Sequence, residues 1–172
     1  MERRPRDPEV RRHLFQDDGR LPNNPKLPLL VYLGALSVYD DLSSECEAWS
    51  GENGWGGAWR GRVFAYHLYH STAHEVLGIV RVTARPAFDG ESVVALELEI
   101  GDVAVIAAGM GQCNPGAGGG FLVVGAYPRG QSWELRTGEP GERPEVLENM
   151  RRVTRPGWTP SSATRGCWPH NG

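Results

Sequence analysis

Lysine is almost missing from this 172-residue chain: Lys26 stands alone beside seventeen arginines. We read that bias as a coding preference, not a functional signal. An excess of one charge is also missing. The formal net charge is −3, with acids and bases mixed along most of the chain, which leaves no electrostatic footing for nucleic acid or an anionic membrane. Arg3, Arg4, Arg6, Arg11 and Arg12 do crowd the start, but Pro5 and Pro8 interrupt them. That run reads as a solvated, flexible arm over 1–12. Cysteine is scarce, odd in number and widely spaced, at Cys46, Cys113 and Cys167. They read as reduced thiols and not as a disulfide framework or a zinc knuckle. No apolar run reaches the length of a membrane span and the start has no signal-like apolar region, so a cytoplasmic protein is expected.

What the chain does have is punctuation. Twenty-three glycines and thirteen prolines separate short apolar runs, the pattern of an all-β fold. One domain over 1–172 is expected, with a barrel over about 29–127 and a tail over 128–172 wrapping its outside. His13 to Pro28 reads as an irregular lead-in and Leu29 to Gly34 as a buried strand. Tyr39, Leu42, Cys46 and Trp49 recur at helical spacing and predict a helix over Ser37 to Glu52. GWGGAWR, from Gly54, reads as a glycine-rich turn with Trp55 and Trp59 as wall. Strands follow over Glu75 to Arg85, Ser92 to Ile100, Val103 to Ala107 and FLVVGAY, with a turn over Pro86 to Glu91. The glycines of Gly109 to Gly120 lack the Lys-Ser/Thr ending of a phosphate loop and read as a barrel-edge loop. At most one or two helical turns are expected near Val146 to Arg151.

The chemistry concentrates in Val63 to Gly78, VFAYHLYHSTAHEVLG. Read as a strand, Phe64, Tyr66, Leu68 and His70 share one face, while Val63, Ala65, His67 and Tyr69 share the other. After a turn, Glu75 opens the next strand with Leu77, Ile79 and Arg81 on its face. An inward arginine would need an anionic partner; the competing reading has Arg81 reaching solvent at the strand's end.

The spacing of Leu68, His70, Glu75 and Val82, followed by that of Gly101, Ala107, Gly109, Gln112 and Gly116, resembles the two signatures of the cupins. Identity departs at Leu68 and Gln112, which stand where the signatures have their first and last His, and at Ala107, which stands for the signature Pro. The lead-in LFQDDGRLPNNPKLPLLVY, the ENGWGGAWR turn, YHSTAHEVLG and VVGAYPRGQSWELRTGEPGERP resemble a branch of small single-domain cupins of the RmlC-like type. That resemblance implies an all-β double-stranded β-helix, or jelly-roll barrel, with one short N-terminal helix and an irregular C-terminal tail. It also implies, in the metal-binding members, a metal held by three imidazoles and a carboxylate. Of that set only His70 and Glu75 remain as strong ligands, with Gln112 a weak neutral donor.

A His, a carboxylic acid and an amide in an apolar pocket make an acid/base set, because burial raises a carboxyl pKa and a neighbouring carboxylate raises an imidazole pKa. The sequence therefore predicts a metal-independent enzyme of isomerase or cyclase type, of a biosynthetic kind, acting on a hydrophobic small molecule. His70 and Glu75 would be catalytic, with Tyr66, Leu68, Arg81 and Gln112 binding substrate. No cofactor is expected, a weakly held divalent metal being the alternative. Neither nucleic acid nor membrane is an expected partner, and a homodimer is. The competing readings are a non-catalytic binding cupin, in which His70 and Glu75 only satisfy each other, and a dioxygenase-like metalloenzyme with a weakened site.

Overall fold

Three apolar runs dictate the main sheet. LLVYL, VAVI and LVVGAYP are buried over nearly their whole length, and β-branched residues covered on both faces belong in central strands. A computed structural model describes residues 8–37, 41–81, 87–88, 94–114 and 120–156. Among these the strands are β1 Glu9–His13, β2 Leu29–Leu33, β3 Trp55–Gly61, β4 Glu75–Arg81, β5 Ala87–Phe88, β6 Val94–Ala95, β7 Val103–Ile106, β8 Gln112–Cys113 and β9 Leu122–Pro128. The helices are α1, Leu42–Glu52, and α2, Glu145–Arg152. A six-stranded sheet runs β1-β2-β7-β4-β9-β3, and a three-stranded sheet runs β6-β5-β8. Every pairing is antiparallel. The architecture is all-β, two antiparallel sheets with two short α-helices among the described residues. One apolar core, including Leu30, Tyr32, Val76, Phe88, Val105 and Val123, fills it.

Helix α1 begins later than its periodicity predicts. Asp41 is the N-cap, its carboxylate accepting the Ser44 N–H at 3.1 Å and the Ser44 hydroxyl at 2.7 Å, so the helix starts at Leu42. Its buried residues are Leu42, Cys46 and Ser50, one per turn. Tyr39 lies outside the described residues. Gly78 of β4 lets the helix close in, since a Cβ there would strike the Cys46 sulfur.

Several other boundaries differ from expectation. Glu9 to Arg12, expected in a flexible arm, belong to β1, because an edge strand needs only backbone pairing to β2 and Val10 packs on the core. GWGGAWR is an edge strand, not a turn: Trp55–Gly61 pairs with β9 around a bulge between Gly56 and Trp59, and Gly57 supplies a φ of 61° there. Conversely, Val63 to His70 forms no continuous strand. Among its residues only Leu68 and Tyr69 make ladder bridges, to Gln112 and Arg136. The described part of Ser92 to Ile100 pairs as a strand only at Val94–Ala95. Within Gly109 to Gly120, Gln112–Cys113 is a strand and not loop. The expected strand end at 82–85, most of the turn at 86–91 and the end of the glycine loop at 115–119 lie outside the described residues, as do Cys167, Trp158 and Trp168. Cys46 and Cys113 are free and buried.

Candidate functional site

Between the sheets lies a cavity of about 630 Å³. Its walls are largely apolar, from Val63, Phe64, Leu68, Leu77 and Leu135 together with the rings of Trp59, Tyr127 and Trp133. Four polar side chains join them, those of Arg62, His70, Glu75 and Gln112, and the Arg62 residue is exposed.

Each buried polar residue is placed by the backbone on either side of it. Glu75 is the first residue of β4, paired with Ile106 of β7. Gln112 sits in β8, and its backbone exchanges two hydrogen bonds with Leu68, at 2.9 and 3.0 Å. His70 is held between two outward anchors. The Tyr69 backbone pairs with Arg136, and its buried hydroxyl donates to Glu142. Ser71 N–H donates to the Glu134 carboxylate at 2.5 Å, and Asn149 donates to the Ser71 hydroxyl at 3.0 Å. With both neighbours tied outward, His70 is turned onto the cavity.

The resulting contacts define one cluster. The Glu75 Oε2 atom accepts the Gln112 amide N–H at 2.7 Å and lies 3.4 Å from His70 Nε2. On the far side of the ring, His70 Nδ1 meets the Glu134 backbone carbonyl. A carbonyl only accepts, so Nδ1 carries a proton and Nε2 is the nitrogen free to exchange one. Trp59 Nε1 donates to the Tyr127 hydroxyl at 3.0 Å, and the Glu75 carboxylate acts on the same phenol. Trp59 reaches Tyr127 by lying over Gly125, its cross-strand partner.

Burial opposes charge on His70, but the hydrogen bond and attraction of Glu75 and the Glu134 carbonyl outweigh it, and its pKa rises above the ordinary value. Burial also raises the Tyr127 pKa, with the charge and hydrogen bond of Glu75 adding to it. Tyr127 is therefore a phenol at neutral pH.

Of the residues singled out in the sequence, Leu68, His70, Glu75 and Gln112 come together on the cavity. Tyr66 does not: it is 50% exposed and stacks on Phe64, centroids 5.1 Å apart, beside the lining. Strand parity fails for it because 62–67 is not a strand. Arg81 is exposed at the far end of β4, past a register shift, and faces solvent. His67 and His74 also stay out of the cavity. His67 Nε2 is 3.5 Å from the Cys113 sulfur. His74 is buried and accepts the Ala108 N–H on Nδ1 at 2.9 Å; burial lowers its pKa to about 4. Sequence reasoning missed Tyr127, Trp133, Leu135 and the Glu134 carbonyl. The tail does not merely wrap the barrel; 129–136 lies along 69–74 and supplies one wall of the cavity.

Four positions test the metal that cupin resemblance implies, and their donors do not fit it. Leu68 offers none, Gln112 has its amide N–H turned to Glu75, and His70 and Glu75 face each other. No group of three or more His, Cys, Asp or Glu suited to a metal ion occurs among the described residues.

No family model matches the chain. Solved structures similar to it include vicilin from tomato, 13% identical with a TM-score of 0.33 over 64% of this chain and 30% of that one. Procruciferin, the 11S globulin of Brassica napus, is 13% identical with a TM-score of 0.35 over 88% of this chain and 34% of that one. The chain spans about a third of the length of each. Sequence similarity is closer to the uncharacterized protein YjlB of Bacillus subtilis, 38% identical over 157 residues that cover 91% of this chain and 93% of that protein. The chain belongs to the YjlB family.

Proposed function

We propose that the protein is a cofactor-independent acid/base enzyme of isomerase or cyclase type acting on a hydrophobic small molecule in the barrel. The observation that carries this reading is the pairing of His70 Nε2 with Glu75 Oε2 at 3.4 Å on the wall of a largely apolar cavity. Within such a site an imidazolium donates and a carboxylate accepts at the same locus, so a proton leaves one carbon of a bound substrate and returns to another. The Glu134 carbonyl holds the ring in one tautomer, and Gln112 fixes the carboxylate's rotation. Tyr127, kept as a phenol, is a hydrogen-bond donor beside the carboxylate.

A binding protein without turnover is the second reading. It is favoured by the fact that Glu75 is already satisfied by Gln112 and His70. Thermal denaturation with candidate apolar ligands tests occupancy, since binding to the folded state raises the midpoint. With a substrate in hand, His70→Ala and Glu75→Gln are each expected to lower turnover by ~10²–10⁴-fold. Glu75→Gln keeps size and hydrogen bonding, so it tests ionisation. Turnover near the wild-type rate in both variants excludes acid/base work by the pair, and unchanged ligand binding without any turnover leaves the binding reading.

A further inference from the structure

The rings at the cavity are grouped on one side, and their grouping bears on the shape of the occupant. Tyr127 and Trp133 stack with centroids 5.8 Å apart and planes 20° apart. The His70 ring meets Trp133 at 5.6 Å and Tyr127 edge-on at 5.7 Å. Trp133 is thus backed by two rings, yet it remains 54% exposed. Its strap is tied down on both sides: Thr72 donates to the Ser132 carbonyl at 2.7 Å, Ser71 to Glu134 at 2.5 Å, and Tyr69 pairs with Arg136. An indole held in place with its surface open is a preformed platform, and Phe64, 49% exposed, also lines the cavity.

Three classes of apolar occupant compete for such a platform. An aliphatic chain would gain only by area, and the rings would add nothing over leucines. An organic cation would use the ring faces, but it would share the cavity with Arg62 and His70, and the Glu75 carboxylate is already taken up by Gln112 and His70. A planar aromatic molecule uses the ring faces directly, and an oxygen on it can approach the polar cluster.

We propose that the occupant is a planar aromatic small molecule bearing a hydroxyl or carbonyl oxygen, and that Trp133 is the residue that selects it. This deepens the ligand-pocket reading above and rests on it, but it does not require turnover. The direct test is calorimetric titration of the intact protein with 2-naphthol and with decahydro-2-naphthol, which share a carbon skeleton and a hydroxyl but differ in planarity and π surface. The aromatic alcohol is expected to bind about 2- to 10-fold more tightly. Trp133→Leu should abolish that preference while Trp133→Phe keeps it, with circular dichroism showing both variants folded. Equal affinities in the wild type, or tighter binding of the saturated alcohol, would overturn the aromatic assignment and leave the pocket reading standing. A preference that survives in Trp133→Leu overturns the role of Trp133. If neither alcohol binds, the pocket reading falls and this inference with it.

Discussion

At the scale of single residues, Gln112 and Leu68 stand where the cupin signatures that the sequence resembles have metal-binding histidines, and they are backbone partners. The two hydrogen bonds between them place their side chains side by side on one face, beside His70 and Glu75. Replacing both by histidine would set three imidazoles and a carboxylate around one point. Leu68→His/Gln112→His is therefore expected to take up about one equivalent of zinc or nickel by elemental analysis, while the natural protein purified without added metal is expected to hold well under one. A full equivalent in the natural protein would show the donor count to be wrong. His70, Glu75 and Gln112 were legible in the sequence because a signature preserves spacing even when identities change. Tyr66 and Arg81 were misplaced because alternation counts only inside a strand. The Glu134 carbonyl left no sequence signal, since any residue offers one and this one reaches His70 from 64 positions away.

At the scale of elements, the site depends on the pair β3 and β9. Trp59 pairs with Gly125 in register, and its indole occupies the space that a Cβ at Gly125 would take. From there it donates to Tyr127 at 3.0 Å. Gly125→Ala must push the indole away, which breaks that bond and loosens the ring wall. The expected cost is roughly 1–3 kcal/mol in denaturant unfolding, with a shift in tryptophan emission. An unchanged spectrum and midpoint would show that Trp59 is not seated on Gly125. Strands β2, β7 and β9 were legible because a buried run of β-branched residues has few alternatives. By contrast, β3 read as a turn because its glycines hide the ladder that β9 supplies. The stretch 63–70 read as a strand because its aromatic and β-branched content suits one, but its partners are two single bridges to distant segments.

At the scale of the whole molecule, β1 and β3 form the two edges of the six-stranded sheet, and open edges invite pairing. We propose a homodimer, checked by light scattering; a monomeric mass removes it.

The fold's pH response follows from two buried histidines of opposite sense. His74 joins 71–74 to the loop at Ala108 and to the chain after α2, accepting from Ala108 at 2.9 Å and hydrogen-bonding the Thr154 backbone, with Arg155 nearby. Burial lowers its pKa to about 4, against about 6.5 in the unfolded chain. Between those values the unfolded chain binds more protons, so stability rises with pH across that window and is lost as pH falls toward 4. The full loss is on the order of 3 kcal/mol. His70 works the other way, because Glu75 raises its pKa despite burial. Its contribution is present below about pH 6.5 and fades as pH rises through its folded value. His74→Gln, whose amide oxygen can still accept the Ala108 N–H, is expected to flatten the acid limb of a stability-against-pH curve and leave the alkaline limb unchanged. His70→Gln should do the reverse. Urea unfolding midpoints from pH 4 to 8 decide it, and an acid limb that persists in His74→Gln would place the acid sensitivity on the carboxylates instead.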